Sequence, residues 1–201
     1  KHMHLRLVPW AGVAACIHSS IHSTKKIKNI EYPTINGQAY CFLPLPVSTG
    51  LPIHINGYFE LSSNRRDILY GDDLQGISSS RAQWNESLLD EIASSCLLRL
   101  LKHEKLKLGS NPTNQQLLGY YHLFPIIQDL SSSLSSPWKL FINAFYSGIS
   151  GLKLLHCRVK NGIWLDTSHA VILIKKKRNN TSTSTIVNKK SVSINEKKEL
   201  E

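Results

Sequence analysis

The spacing of the apolar residues changes near residue 80, and this change limits the folds open to the chain. Before it, Ile53 and Ile55 are separated by the polar His54, the period of two typical of a strand with one face towards solvent. After it, apolar residues recur at helical spacing, at Trp84, Leu88, Leu89, Ile92, Cys96 and Leu100. A chain with strands followed by helices is predicted to belong to the α+β class.

Five segments are predicted to be extended, because they combine apolar residues with turn signals at their ends: residues 4–17, 40–45, 51–56, 162–165 and 170–174. Ser48-Thr49-Gly50 predicts the turn between the second and third of them. Asn36-Gly37 favours a tight hairpin turn upstream of the second. Gly57 predicts a bulge or a close backbone approach after the third.

The first helix is predicted to begin at Ser80 and to run to about Lys105. The Ser80 hydroxyl and the Gln83 side chain have the spacing of a capping box, in which each satisfies a backbone donor of the other. Residues 113–134 stay unassigned, because Gly119 and Pro125 interrupt an otherwise apolar stretch.

The second helix is predicted to begin at Ser136-Pro137, a preferred helix start, and to end near Gly148 or Gly151. Its predicted buried face consists of Trp138, Phe141, Ile142, Phe145 and Ile149. The fold prediction is therefore an α+β domain in which a mixed or antiparallel sheet is packed by two main amphipathic helices.

Half of the formal net charge of +10 lies in residues 175–201, which contain eight Lys or Arg and three Asp or Glu. Large apolar residues are too few there to offset the entropy lost on ordering, so we predict a disordered basic tail after a domain of residues 1–174. The tail could bind nucleic acid or direct the chain to the nucleus. The alternative is a solvated terminus without a function.

The cysteine pattern predicts free thiols in a reducing compartment, so we expect a cytoplasmic protein. Cys16, Cys41, Cys96 and Cys157 are far apart, form no Cys-x-x-Cys pair and lie in apolar surroundings, as buried free cysteines do. No run of about 18 apolar residues is present, so no membrane-spanning segment is expected.

Arg65 and Arg66 are the strongest candidates for a binding site, because they follow directly on an extended segment. An arginine presents a planar fork of donors that fits phosphate or carboxylate. Two arginines in a loop at the end of a strand could therefore bind an anion. The alternative is that they form salt bridges with Asp67, Asp72 or Asp73.

No motif predicts catalysis or a metal site. His18 and His22 have the spacing of two ligands on one face of a helix, but no third ligand lies at a useful spacing, so no metal is expected. Asp166, Ser168 and His169 are close in sequence, yet this spacing does not establish a catalytic triad. We therefore expect that the chain is not an enzyme on its own.

Several motifs together resemble the sacsin family. The resemblance covers about residues 5–174, and the block around Asn64, Arg65 and Arg66 is its most specific part. The motifs are Leu7-Val-Pro-Trp-Ala-Gly-Val-Ala-Ala15, Cys41-Phe-Leu-Pro-Leu-Pro-Val47, His54-Ile-Asn-Gly-Tyr-Phe-Glu-Leu61, Ser63-Asn-Arg-Arg-Asp67, Tyr70-Gly71-Asp72-Asp73, Trp84-Asn85, Pro137-Trp138 and Gly162-Ile-Trp164.

The resemblance implies a fragment of a molecular chaperone. In sacsin repeats such a region follows an ATP-binding domain similar to that of the ninety-kilodalton heat-shock chaperone. In relatives of that fold, the domain that follows lends a basic residue to the terminal phosphate of ATP. Arg65, Arg66 and Asn64 are the candidates for this contact, made in trans from this chain to its neighbour.

The same resemblance implies the partners of the chain. ATP and Mg²⁺ are expected in the upstream domain, with no cofactor in this chain. The expected partners are that domain and client polypeptides or co-chaperones, rather than nucleic acid or a membrane. Two alternatives stay open: a nucleic-acid-binding module that acts through the basic tail, and a degenerate fragment without independent activity.

Overall fold

The computed structural model describes residues 8–17, 35–71, 75–126, 137–157 and 162–169. The predicted domain boundary at residue 174, the basic tail and the predicted strand over residues 170–174 lie outside these ranges. None of the helices within them is long and apolar enough to cross a membrane.

Four short strands form one sheet, in the order β1-β4-β2-β3. They are β1 (Ala11–Ala14), β2 (Gln38–Cys41), β3 (Leu43–Ser48) and β4 (His54–Gly57). β1 is antiparallel to β4 and β3 is antiparallel to β2, whereas β2 and β4 are parallel. The sheet is therefore mixed, and the α+β prediction is confirmed. The edge strand β3 contains two prolines, Pro44 and Pro46.

The two faces of the sheet differ in burial, as the period of two predicts. In β4, Ile55 is buried and lies on the inner face, towards the helices, whereas His54 and Asn56 are only half-buried and lie on the outer face. The register places Ala39 of β2 beside Ile55, and Ala39 is buried in turn.

The prediction of one extended segment over residues 40–45 is wrong, because the backbone reverses at Phe42. This residue alone connects β2 to β3, and Cys41 pairs with Leu43 across it. The φ angle of Phe42 is 61°, in the left-handed region that side chains other than glycine rarely adopt. The predicted turn over residues 48–50 is confirmed, with Gly50 at φ 67°.

Gly37 lies where two backbones approach each other closely. Its N–H donates to the Leu51 carbonyl at 2.7 Å, and its carbonyl accepts from the Thr49 N–H at 2.9 Å. A Cβ at this position would overlap the carbonyl oxygen of Ile53. The glycine is therefore needed for packing, and no hairpin turn at Asn36-Gly37 is seen in the described residues.

One long helix crosses the inner face of the sheet. It comprises α1 (Ile77–Ser87), a π-helical segment (Leu88–Ala93) and α2 (Ser94–Leu108). The predicted capping box at Ser80 is wrong, because the Ser80 N–H already donates to the Gly76 carbonyl, inside the first turn. Gly76 precedes the helix at φ 61°, and this conformation lets the helix begin earlier.

The π-helical segment changes which side chains of the long helix are buried. Leu88 and Leu89 are fully buried, as predicted. From the last residue of the segment onwards, the fully buried apolar residues are Ala93, Leu97 and Leu101, one position beyond the predicted Ile92, Cys96 and Leu100, which are only half-buried. A π turn accommodates one more residue than an α turn, so it moves the apolar face by one position.

Two shorter helices complete the core. α3 (Asn114–Tyr121) lies in the region left unassigned, and it begins with a capping box between Thr113 and Gln116. α4 (Pro137–Gly148) begins and ends as predicted. Its residues Trp138, Phe141 and Phe145 are buried, as is Ile149 directly after it, whereas Ile142 is half-buried.

A small antiparallel hairpin follows α4. It consists of β5 (Leu155–Cys157), which was not predicted, and β6 (Ile163–Leu165), which was. The Trp164 indole N–H donates to the Gly109 carbonyl at 2.8 Å, which attaches this hairpin to the end of α2.

The four cysteines are free thiols, but they are not equally buried. Cys41, Cys96 and Cys157 are half-buried, whereas Cys16 is exposed. The prediction of a buried thiol is therefore wrong for Cys16, which lies after the end of β1 and outside the core.

Candidate functional site

Residues 61–68 form a tight hairpin that carries the two candidate arginines. Leu61 and Ile68 are paired by an antiparallel bridge at its base. Beyond the bridge, the Ser62 N–H donates to the Asp67 carbonyl at 2.9 Å, and the Arg65 N–H donates to the Ser62 carbonyl at 2.8 Å. The hairpin is therefore closed by its own backbone and holds its shape without a ligand.

The side chain of Asn64 supports the turn from within. Its carboxamide oxygen accepts from the Ser62 hydroxyl at 2.8 Å and from the Arg66 N–H at 3.0 Å. This is the local bonding by which asparagine stabilises turns. The phosphate contact suggested for Asn64 stays a prediction, and any such contact would use the amide nitrogen, because a phosphate oxygen needs a donor and the carboxamide oxygen only accepts.

Arg65 and Arg66 are both exposed at the tip of the hairpin. Arg65 has φ 55°, so the turn holds it in the left-handed region. Within the described residues neither guanidinium forms an ion pair, although Asp67 lies next to Arg66. Asp72 and Asp73, the other acids considered as partners, lie outside the described residues. The tip therefore carries two positive charges that no described acid neutralises.

The buried side chain of Asn85 fixes the base of the hairpin to α1. Its amide oxygen accepts from the Glu60 N–H at 2.8 Å, and its amide nitrogen donates to the carbonyls of Glu60 at 2.7 Å and Leu69 at 2.8 Å. One side chain thus binds both strands of the hairpin. Because Asn85 is fully buried, these bonds are shielded from competition with water.

Two further residues of α1 hold the same segment. The Arg81 guanidinium forms an ion pair with Glu60 and also donates to the Leu61 carbonyl at 3.2 Å. The Trp84 indole N–H donates to the Tyr58 carbonyl at 2.8 Å. The roles of Arg81 and Asn85 were not predicted from the sequence. A polar Asn85 beside apolar helix positions was the signal that could have revealed a buried hydrogen-bonding role.

Asp166, Ser168 and His169 form a local turn rather than a catalytic triad. The Asp166 carboxylate accepts from the Ser168 hydroxyl at 2.6 Å and lies 2.7 Å from His169 Nδ1. The Ser168 hydroxyl lies 3.0 Å from the same Nδ1. A triad places the serine and the carboxylate on opposite imidazole nitrogens, which this arrangement does not do. The hydrogen bonds from Ser168 and His169 lower the pKa of Asp166 to about 2.

The described residues offer no further candidate for a metal site. No cluster of three His, Cys, Asp or Glu with metal-binding geometry occurs there. His54 has a structural contact instead, since its Nδ1 accepts from the Gln38 N–H at 3.1 Å. His18 and His22 lie outside the described residues.

The comparison with known proteins supports the motif-based resemblance. The chain is 38% identical to human sacsin over 115 residues, which are 56% of this chain and 2% of sacsin. The resemblance to the sacsin family is confirmed. No protein-family model and no solved structure matches the chain.

The chain spans only about 2% of the sacsin that it matches. It therefore corresponds to a small region of a very large relative, and what the whole of sacsin does is not thereby assigned to it.

Proposed function

We propose that this chain is a non-catalytic region of a sacsin-like chaperone, which couples a neighbouring ATP-binding domain to client polypeptides or co-chaperones. The observation that carries the proposal is the hairpin tip, where Arg65 and Arg66 are exposed and have no ion-pair partner among the described residues. The similarity to sacsin supports a place in a chaperone of this type.

The arginines would act on the terminal phosphate of ATP held by the neighbouring domain. A guanidinium fork matches the oxygens of a phosphate and offsets the charge that develops as the phosphoryl group is transferred. ATP and Mg²⁺ belong to the neighbour in this scheme, and this chain supplies only the two cations.

The clamp at the base of the hairpin would carry the state of the nucleotide into the core. Asn85 and Arg81 bind the hairpin to α1, so a movement of the tip is transmitted to the long helix rather than absorbed by a loose loop. Client or co-chaperone binding elsewhere on the chaperone would respond to the position of this helix. The cytoplasm is the compartment that we expect for such a protein.

The test is ATP hydrolysis by the matching ATP-binding domain in the presence of this chain. Arg65→Asn together with Arg66→Asn removes both charges, and asparagine tolerates the positive φ of Arg65. We expect the ATP-binding domain to hydrolyse ATP about 10-fold or more slowly with this double variant than with the unmodified chain. An unchanged rate would refute the proposed phosphate contact.

The matched control removes two positive charges elsewhere. Arg99 and Lys102 are exposed on α2, so the variant Arg99→Asn with Lys102→Asn changes the net charge by the same amount. We expect the ATP-binding domain to hydrolyse ATP as fast with this variant as with the unmodified chain. A similar loss in both double variants would mean that net charge, rather than the hairpin, matters.

A further inference from the structure

Three aromatic side chains form a continuous row on the outer face of the sheet. The ring centroids of Trp10 and Tyr58 are 5.4 Å apart, and those of Tyr58 and Phe42 are 4.9 Å apart. Trp10 directly precedes β1 and Tyr58 directly follows β4, and the Tyr58 N–H donates to the Trp10 carbonyl at 3.1 Å, which extends the pairing of these two strands. We call these three residues the aromatic platform.

The platform is exposed, and the backbone holds part of it in a strained conformation. Phe42 is 68% exposed and Leu43 beside it is 75% exposed, while Trp10 is 44% exposed. Phe42 has φ 61°, and its N–H is bonded to the Asn56 side chain at 3.2 Å. A non-glycine residue held in this region costs free energy, and such strain concentrates at binding sites.

Charge on this face indicates what the platform can bind. The four strands of the sheet contain no Lys, Arg, Asp or Glu. Single-stranded nucleic acid is bound by cations along its whole backbone as well as by aromatic rings, and the strands supply no cation beyond the two arginines of the tip. An uncharged, apolar protein surface is the better match.

Tyr58 of the platform and the arginine tip lie on one segment of the chain, which α1 holds in place. Four residue steps separate Tyr58 from Ser62 at the base of the tip, at most about 14 Å. Trp84 is bonded to the Tyr58 carbonyl and Asn85 to Glu60, so the helix fixes both ends of this stretch. A typical protein interface covers about 800 Å² per partner, about 30 Å across, and can include both features.

The energetics also favour one partner for both features. Exposed ion pairs contribute little to affinity, so Arg65 and Arg66 cannot hold a partner by themselves. Buried aromatic residues are the usual source of binding energy at protein interfaces. A partner that meets the arginines therefore requires an apolar anchor nearby, and the platform adjoins their segment through Tyr58, with Trp10 and Phe42 as its exposed members.

We infer that the aromatic platform is the docking surface for a protein partner with an uncharged apolar centre and an anion at its rim, placed to meet Arg65 and Arg66. The inference rests on the proposed function, which identifies this partner as the neighbouring ATP-binding domain with its bound nucleotide. The platform supplies affinity, and the arginines act on the phosphate.

The test measures binding separately from hydrolysis. The separately expressed ATP-binding domain is titrated into the full chain by calorimetry. Phe42→Asn removes the ring, and asparagine suits a positive φ, so this variant is expected to fold. We expect Kd to rise by about 10-fold for Phe42→Asn and further when Trp10→Ser is added. Leu106→Asn, at an equally exposed apolar residue on α2, is the control and leaves Kd unchanged.

The outcomes separate the two proposals. If Phe42→Asn leaves Kd unchanged, or if the unmodified chain shows no detectable binding, the docking surface is overturned. If Phe42→Asn weakens binding while the ATP-binding domain hydrolyses ATP at the normal rate in the presence of the arginine double variant, the docking surface stands and the phosphate contact fails. Binding of a single-stranded oligonucleotide that Phe42→Asn abolishes would overturn the choice of a protein partner.

Discussion

The side chain of Asn85 pairs with both backbone groups of Glu60, as a neighbouring strand would. Its oxygen accepts from the Glu60 N–H at 2.8 Å, and its nitrogen donates to the Glu60 carbonyl at 2.7 Å. The Glu60 carbonyl also accepts from the Leu69 N–H at 2.9 Å, whereas the Glu60 N–H and the Leu69 carbonyl are bonded to the Asn85 side chain, so a helix residue completes the hydrogen bonding at the base of the hairpin. The Asn85 amide, together with Arg81 and Trp84, thus fixes the base of the arginine hairpin to α1.

Replacing Asn85 by alanine is expected to destabilise the protein. The change leaves one N–H and two carbonyls without their side-chain partner in a buried place, so we expect the free energy of unfolding to fall by about 2–4 kcal/mol. Urea unfolding followed by circular dichroism measures it. Gln83→Ala, at an exposed position of the same helix, is the control and should change stability by less than about 0.5 kcal/mol. Equal stability of Asn85→Ala and the unmodified chain would contradict the clamp.

The π-helical segment predicts an unequal response of two leucines in α2. Leu97 is fully buried, so Leu97→Ala is expected to cost about 2–5 kcal/mol. Leu100 is only half-buried, so Leu100→Ala is expected to cost about 1 kcal/mol. Denaturant unfolding of the two variants tests the order. The reverse order would mean that the helix continues as a regular α-helix through residues 88–93.

The cysteines are expected to differ in their rate of reaction with a disulfide reagent. Burial raises the pKa of the Cys41 and Cys96 thiols, which reduces their reactive thiolate at neutral pH. Cys16 is exposed, so it should react first when absorbance is followed after mixing with Ellman's reagent. Cys16→Ser should remove the fastest phase. Persistence of that phase in the variant would show that another thiol is the accessible one.

Protonation of the Asp166 carboxylate at low pH is expected to remove its stabilising hydrogen bonds. Its pKa is lowered to about 2, chiefly by the Ser168 hydroxyl, so its stabilising contribution is present above about pH 4 and is lost as the pH falls towards 2. A carboxyl titration by carbon-13 NMR should therefore give a midpoint well below the ordinary value of 3.8. Ser168→Ala should raise this midpoint. An ordinary midpoint in the unmodified chain would rule out the local turn in solution.

Sequence patterns predicted where the helices and strands lie better than which of their residues are buried. The start and end of α4 followed from Pro137 and Gly148, whose conformational preferences are local. The shift of the buried face from Cys96 to Leu97 could not be predicted from the sequence. The insertion of a π turn depends on packing across the core and not on the residue types of the helix alone. The sequence offers the same capping-box spacing at Ser80, where no cap forms, and at Thr113, where one does. The spacing alone therefore does not distinguish a true helix start from a false one.

One part of the candidate site could also be predicted from the sequence, and another could not. The arginine pair was found from the sequence, because two adjacent cations after a strand are a local feature. The aromatic platform was not, because Trp10 and Tyr58 lie 48 positions apart in the sequence and meet only through the register of β1 and β4. Contacts of this kind depend on topology, which a single sequence does not reveal.

The two prolines of β3 have a consequence for how this protein behaves at high concentration. Pro44 and Pro46 carry no N–H, so the outer edge of the sheet lacks two of the donors that another chain would need to extend it. An apolar sheet edge beside an exposed phenylalanine would otherwise invite the edge-to-edge stacking that leads to fibrils. The molecule can thus present Phe42 to a partner without serving as a template for its own aggregation.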